Sequence, residues 1–347
     1  MRTHQGVGVA IFDRLGFGIY YKMFRHFDSL AHLNWQRATN LARMAWEIQW
    51  RKTVLRSKPV FLRINPISVC NLSCPMCSIG QQKLGIKPKE SAPPNMTLDN
   101  FRKIVTNAGD NILKALLYDE GEPLLHPDIS DMVNFLAERD TATVISTNFA
   151  MEFTDSRMKD LAQSGLSHLI VALDGSTQDI YSKYRIGGNI DIVQDNLTRF
   201  MAVKNENTLV ELQFIRFGYN NHQLEDIRQF GEKLGVERFS SFDSIWHPDQ
   251  KKDRDQRIWQ PPKKRRRYGC FDIYAVLDVD TEGYLFPCDH GEDYGFAKLG
   301  SMLDNDLETL WNSPEMIELR SSFRLGHLPN KVCMGCHLET YLPFFLR

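Results

Sequence analysis

From residue 59 the chain alternates short apolar runs with amphipathic segments, and this alternation leaves it few folds. Strand-like runs fall at 60–67, 114–118, 141–146, 168–173, 209–215 and 236–239. Between them, helical spacing begins at Thr97, Asp128, Thr154, Ile190 and Asn221, with cap-forming residues at several starts and Gly165 and Gly235 at two of the stops. Strands separated by helices return parallel through right-handed crossovers. Six strands and five helices therefore predict an α/β sheet, either open and doubly wound or curled as a partial barrel.

The flanks break this rhythm. Residues 1–58 read as a basic helical extension: from Trp35 onward Leu41, Met44, Ile48 and Leu55 recur at helical spacings, while Arg37, Arg43, Arg51, Lys52 and Arg56 are opposed only by Glu47. The expectation is a helix that lays its stripe on the body and keeps its arginines in water. A surface that rests on anionic lipid or an acidic partner is the alternative. Past residue 242 a polar stretch, 247–267, ends in the basic run 263–267 and reads as a linker or lid, with phosphate binding as its functional alternative. Runs 274–278 and 284–286 flank Asp280-Thr281-Glu282-Gly283 as a hairpin, and a helix is expected over 307–323. The division is thus 1–58, 59–245 and 246–347.

Composition narrows the functional classes. Lys plus Arg (42) nearly balances Asp plus Glu (43), so no overall charge points to nucleic acid. The chain opens with no charged segment leading into a long apolar run, and no stretch approaches the ~18 apolar residues of a spanning helix. A cytoplasmic location is the expectation, and there clustered cysteines argue for metal before disulfide. The 7 cysteines are clustered.

Cys70, Cys74 and Cys77 form a C-x3-C-x2-C triplet directly after the first strand-like run. Three thiolates on one short loop can hold three corners of an iron–sulfur cube and leave the fourth iron open for chemistry. A zinc knuckle would want a fourth ligand close by, and the nearest downstream histidine, His126, is distant in sequence. The stretch Cys70-Asn-Leu-Ser-Cys74-Pro-Met-Cys77 resembles the signature of the radical SAM superfamily. The resemblance implies a partial (β/α)6 TIM-like barrel. It also implies a 4Fe-4S cluster whose open iron is chelated by the amino and carboxylate groups of S-adenosylmethionine (SAM), with reductive cleavage to a 5′-deoxyadenosyl radical. Met76, just before the third cysteine, would lie near adenine.

In parallel α/β folds ligands collect at the carboxyl ends of strands. There the sequence places Glu120-Gly121-Glu122-Pro123, Thr147-Asn148 and Asp174-Gly175. Gly121-Glu122-Pro123 resembles the family's GGEP motif, with Glu120 replacing its first glycine; Glu122 would meet the SAM ammonium and Gly121 would allow close backbone approach. Thr147-Asn148 resembles the ribose-contacting segment. Arg185 stands where related enzymes keep an arginine for the SAM carboxylate, with a surface ion pair as the alternative. Asp174 could equally cap the next helix.

The remaining cysteines, Cys270, Cys288, Cys333 and Cys336, could complete a tetrahedral zinc site, although zinc ribbons present two short knuckles and only Cys333-x2-Cys336 is one. With Gly283 and Leu310-Trp311-Asn312-Ser313-Pro314, this pattern resembles the SPASM/twitch extension of radical SAM enzymes, a small α+β domain carrying auxiliary 4Fe-4S clusters. Four cysteines imply one fully coordinated auxiliary cluster that passes electrons. Together the resemblances imply SAM and two 4Fe-4S clusters, a flavodoxin- or ferredoxin-type reductant, and a two-electron oxidation of a small polar, sugar-like substrate. The alternatives are a peptide maturase that installs crosslinks, against which no hairpin in residues 1–58 suggests a peptide-recognition domain, and a non-catalytic cluster-bearing scaffold. Tyr219, Asp243 and His247 are candidate bases, and His290 and His337 neighbour auxiliary cysteines.

Overall fold

The computed structural model describes residues 32–87, 95–244, 270–288 and 296–325. Residues 1–31, His247, the run 263–267, His290, Cys333, Cys336 and His337 lie outside the described residues. Among the described residues nine strands form one sheet. Numbered in chain order they are β1 (Phe61–Ile64), β2 (Lys114–Leu116), β3 (Ala142–Thr147), β4 (His168–Ala172), β5 (Leu209–Arg216), β6 (Arg238–Asp243), β7 (Val276–Val279), β8 (Tyr284–Phe286) and β9 (Gly300–Ser301). They run in the order β6-β5-β4-β3-β2-β1-β7-β8-β9. The six expected strands are β1 to β6. All six pair parallel in sequence order. They form an open, partial barrel rather than a closed one.

Burial explains which strands were easiest to see. β4 is buried at all five positions, and the interior is lined by Leu62, Ile64, Ala115, Ile145, Val171, Leu212 and Phe214. Parallel strands covered on both faces read as continuous apolar runs. β6 lies at the sheet edge with partly exposed positions, starting two residues later and ending four residues later than the expected run 236–239.

β7 (Val276–Val279) and β8 (Tyr284–Phe286) are the expected hairpin. Asp280 builds its turn by accepting from the backbone N–H groups of Glu282 (2.9 Å) and Tyr284 (2.8 Å), and Gly283 takes the positive φ of 87° that closes it. Tyr274 instead belongs to a helical turn, Asp272–Ala275. β7 pairs parallel with β1, Phe61 against Val276 through Ile64 against Val279, and β9 (Gly300–Ser301) extends the sheet beyond β8. The carboxy-terminal hairpin is therefore a continuation of the barrel sheet.

The N-terminal helix α1 (Trp35–Gln49) buries Met44 as expected, but also Arg37 and Glu47. Arg37, expected in water, is only 2% exposed. Its guanidinium donates to the carbonyls of His32, Asp110, Arg139 and Asp140 at 2.6–3.0 Å, so its charge is satisfied by three separate segments that only the fold brings together. The Glu47 carboxylate accepts from the backbone N–H groups of Arg56 and Ser57 and from the Ser57 hydroxyl.

The expected helix over 307–323 is two helices, Leu307–Trp311 and Pro314–Leu325, broken at Asn312-Ser313. The break makes a clamp. Asn312 accepts from the Leu55 N–H and donates to the Leu55 carbonyl, both at 2.9 Å, and the Trp311 indole donates to the Ser57 carbonyl at 3.2 Å. Arg320, fully buried beside the Trp311 ring, donates to the carbonyls of Ile273 and Thr53. These contacts lock the segment before β1 to the carboxy-terminal helices.

Candidate active site at the carboxyl rim of the sheet

The cysteine loop leaves the carboxyl end of β1 and is held on all sides by backbone contacts. Ser73 N–H donates to the Ile186 carbonyl and Glu122 N–H to the Val69 carbonyl, at 2.9 and 2.8 Å. Lys83, in the short helix Ser78–Lys83, donates through its ammonium to the carbonyls of Cys70, Asn71 and Leu72 at 3.1, 3.2 and 3.0 Å. A β-carbon at Gly80 would lie 2.0 Å from the Cys74 carbonyl oxygen, so only glycine lets that helix approach the loop so closely.

Gly121 does for the next loop what Gly80 does here. Its φ is +77°, and a β-carbon there would come within 2.3 Å of the Ile67 carbonyl oxygen and 2.9 Å of that of Val69. The close approach expected of this glycine is thus made to the chain's own cysteine loop.

The three thiols present donor-rich surroundings. Leu72 N–H donates to the Cys70 sulfur at 3.4 Å and the Asn148 amide at 3.7 Å, and the Arg185 guanidinium reaches the Cys74 sulfur at 3.9 Å. Cys77 stands at the N-cap position of the helix Ser78–Lys83, where the nearby N–H groups of Gly80 and Ile79 favour its thiolate. Burial nevertheless pushes the Cys70 thiol up to about 12 and raises Cys74 and Cys77 as well. Sulfurs that burial keeps protonated, yet that face fixed donors, fit a site completed by metal charge, because a bound cation deprotonates its thiols. Among the described residues no three potential ligands converge on a point as for a single ion. Glu120, standing where the family pattern has glycine, adds a negative charge near Cys77.

Glu122 is the hub of the rim and is 1% exposed. Its Oε1 accepts from the Leu124 N–H (3.0 Å) and the Thr147 hydroxyl (2.7 Å), and its Oε2 from the Asn148 N–H (2.7 Å). Burial raises its pKa while these three donors oppose the shift. Asn148 continues the chain of contacts, donating to the Asn71 side chain at 2.9 Å, and Asn71 donates to the Ala150 carbonyl at 2.7 Å. Glu122, Thr147, Asn148 and Cys70 are therefore one network.

Asp174 and Arg185 form the second group. The Arg185 Nε donates to Asp174 Oδ2 at 2.6 Å, while Asp174 Oδ1 accepts from the Ile215 N–H at 2.7 Å. Asp174 thus braces β5 and the arginine and caps no helix. The ion pair expected as one alternative for Arg185 is present, but buried against Cys74 and the Tyr184 ring rather than at the surface. Asn220 and Gln223 support this corner, Asn220 by donating to the carbonyls of Asp174 and Ile215, and Gln223 by accepting from the Ser176 N–H.

Two of the three candidate bases can be placed. Asp243 is paired with Arg216 at 2.6 Å. Tyr219 stacks on Phe217 with centroids 5.3 Å apart, and burial pushes its phenol up, which makes it a proton donor rather than a base at neutral pH. Met76 packs, half-buried, against the main core.

Of the four cysteines expected to hold an auxiliary cluster, Cys270 and Cys288 are described, and they sit elsewhere. Cys270 precedes the helical turn that leads into β7, and Cys288 follows β8. Because β7 runs parallel to β1 and β8 antiparallel, both lie at the end where β1 begins, whereas Cys70, Cys74 and Cys77 lie past the end where it finishes. A four-residue strand separates the two levels by roughly 10 Å at ~3.3 Å per residue.

Comparison with known proteins agrees with this architecture. The radical SAM superfamily model matches residues 64–231, and the model of the SPASM iron–sulfur cluster-binding domain matches residues 270–337. Among curated proteins, a GTP 3′,8-cyclase of Limosilactobacillus fermentum is 28% identical over 188 residues, covering 52% of this chain and 54% of that protein. The tungsten-containing aldehyde ferredoxin oxidoreductase cofactor-modifying protein of Pyrococcus furiosus is 32% identical over 116 residues, covering 33% and 30%. The chain spans about half the length of the curated relatives it matches first. Streptococcus suis SuiB bound to S-adenosylmethionine superposes with a TM-score of 0.64 at 17% identity, covering 97% of this chain and 84% of SuiB. SAM-bound anSMEcpe gives a TM-score of 0.57 at 13% identity, covering 80% and 87%. The two domains imply SAM and iron–sulfur clusters in both parts, and the chain belongs to the radical SAM superfamily with a carboxy-terminal SPASM domain.

Proposed function

We propose that the protein carries out a two-electron oxidation at a C–H bond of a small polar substrate, sugar- or aminocyclitol-like, bound over the carboxyl rim. The observation that carries this reading is the placement of Cys270 and Cys288 at the opposite end of β1 from the cysteine loop. These two cysteines lie a strand length, roughly 10 Å, from the level of the rim, which suits an electron exit better than a substrate-binding site. When bound, SAM and its cluster would supply a 5′-deoxyadenosyl radical to take a hydrogen atom, the auxiliary cluster would accept the electron that remains, and the proton of the adjoining O–H or N–H would leave to solvent.

The chain's own residues then divide the work. Cys70, Cys74 and Cys77 would hold three irons, with Lys83 fixing the backbone between them. Glu122 Oε2 accepts one donor from the chain and keeps capacity for an ammonium. Thr147 and Asn148 would face the ribose and Met76 the adenine. Arg185 would meet the SAM carboxylate while Asp174 holds it in place. A flavodoxin- or ferredoxin-type protein would supply the reducing electron.

The test replaces Cys333 and Cys336 with Ala in the full chain and assays it anaerobically against polyols and aminocyclitols. SAM cleavage should survive while oxidised product is lost. Normal turnover by this variant, or a crosslinked peptide as the product of the unaltered protein, would overturn the reading.

A further inference from the structure

The outward face of α1 has an unusual composition. Trp35 is 84% exposed, Trp46 52% and Trp50, the cap residue, 62%. At about 100° per residue these three side chains fall within roughly 60° of one another around the helix. Along the axis they span about 22 Å at ~1.5 Å per residue. The buried residues Arg37, Asn40, Met44 and Glu47 occupy the opposite face. Three exposed tryptophans in a row are costly to leave in water and mark a surface that meets something.

The charge around this face is of one sign. From residue 33 to residue 87 the only acidic residue is Glu47, which is buried and held by Arg56 and Ser57. Arg43, Lys52 and Arg56 are exposed and, among the described residues, form no ion pair; the Lys52 ammonium lies 5.1 Å from the Trp46 ring centre. Of the exposed acids near the helix, Asp140 is bonded to His32 and Glu308 to Lys58, and Asp110 takes the Arg37 guanidinium on its carbonyl.

This combination identifies the partner by chemistry. Indole rings prefer the water–hydrocarbon boundary, where the ring is apolar and the N–H can find a partner. Basic side chains beside them favour anionic headgroups. The face is a convex ridge of one helix, which a deformable bilayer surface can receive without a matching pocket. No helix among the described residues is long and apolar enough to cross a membrane, so the contact would be peripheral.

We propose that this face docks the protein on an anionic lipid bilayer, Trp35, Trp46 and Trp50 entering the headgroup layer and Arg43, Lys52 and Arg56 meeting its charge. The test is co-sedimentation of the full-length protein with vesicles of phosphatidylcholine alone and of phosphatidylcholine mixed with phosphatidylglycerol. Binding is expected only to the mixed vesicles, with a blue shift of tryptophan emission, and should fade as salt is raised. Replacing Arg43 and Lys52 together with Gln should weaken it about 30-fold, taking ~1 kcal/mol per basic residue near the surface. The pair Trp46→Ser and Trp50→Ser should weaken it at all salt concentrations. Trp35→Ser, at the most exposed position, serves as a second probe should that pair fail to fold, as judged by circular dichroism and iron content. Absence of binding to mixed vesicles, equal binding to neutral ones, or binding unchanged by both sets of substitutions would overturn the proposal. So would self-association without vesicle binding, since a second copy would then cover the face.

Discussion

Gly121→Ala isolates the contact that joins the two rim loops. The new β-carbon brings two costs. At φ +77° an L-residue costs about 1–2 kcal/mol. In addition it would sit 2.3 Å from the Ile67 carbonyl oxygen, backbone that cannot yield without moving the loop that leads to Cys70, and such overpacking costs about 1–3 kcal/mol. Gly235 provides the control, because its φ is +80° yet a β-carbon there meets nothing within 4 Å. Gly235→Ala should cost only the conformational part, about 1–2 kcal/mol. Gly121→Ala should therefore destabilise the protein by about 2–5 kcal/mol in urea unfolding and lower the iron held after anaerobic reconstitution. Gly235→Ala should retain its iron. Equal losses of stability in the two variants, with iron unchanged in both, would refute the idea that Gly121 is required by loop-to-loop contact.

Two further expectations follow from a buried histidine and an exposed lysine and their partners. Burial lowers the pKa of His168, 3.2 Å from Glu211, although Glu211 opposes the shift. The unfolded chain then takes up a proton near 6.5 that the fold does not, so this contribution to stability is complete above that value and is lost as pH falls. Thermal unfolding of His168→Asn should therefore show a shallower loss between about pH 7 and about pH 5 than the unaltered protein, and an unchanged slope would contradict the argument. Lys83→Met removes three hydrogen bonds to the cysteine loop; because the side chain is exposed, the cost is set at about 1–2 kcal/mol. It should speed loss of iron to a chelator, and Lys83→Arg should recover part of that loss; iron retention like that of the unaltered protein would remove Lys83 from the loop's support.

The alternating pattern made the parallel strands legible, most clearly at β4, which is buried at all five positions and reads as the unbroken apolar run Leu169 to Ala172. β6 was harder to place because an edge strand with Ser240 and Ser241 at its middle carries little apolar signal. The cysteine loop could be read from spacing alone, since all three thiols lie within eight residues. What supports it could not: Lys83 and Gly80 act on backbone carbonyls, and Asn220 and Gln223 reach across from beyond β5, none of which leaves a sequence pattern. Asn71 did carry a signal, as a polar residue inside the motif. Arg37 looked like a solvent-facing arginine because the carbonyls that bury it come from residues 32, 110, 139 and 140. That β7 would join β1 was equally hidden, since hairpin chemistry specifies the turn at Asp280 and not the neighbour on the other side.

The central claim is that the loop at the end of β1 is where SAM is cleaved, separately from the auxiliary cysteines. The direct measurement compares the anaerobically reconstituted, reduced protein with a variant in which Cys70, Cys74 and Cys77 are all Ala, scoring iron content and 5′-deoxyadenosine from added SAM. The account predicts that the variant keeps about half of the iron, one 4Fe-4S cluster of two, and forms no 5′-deoxyadenosine. Continued formation of 5′-deoxyadenosine by that variant would contradict it.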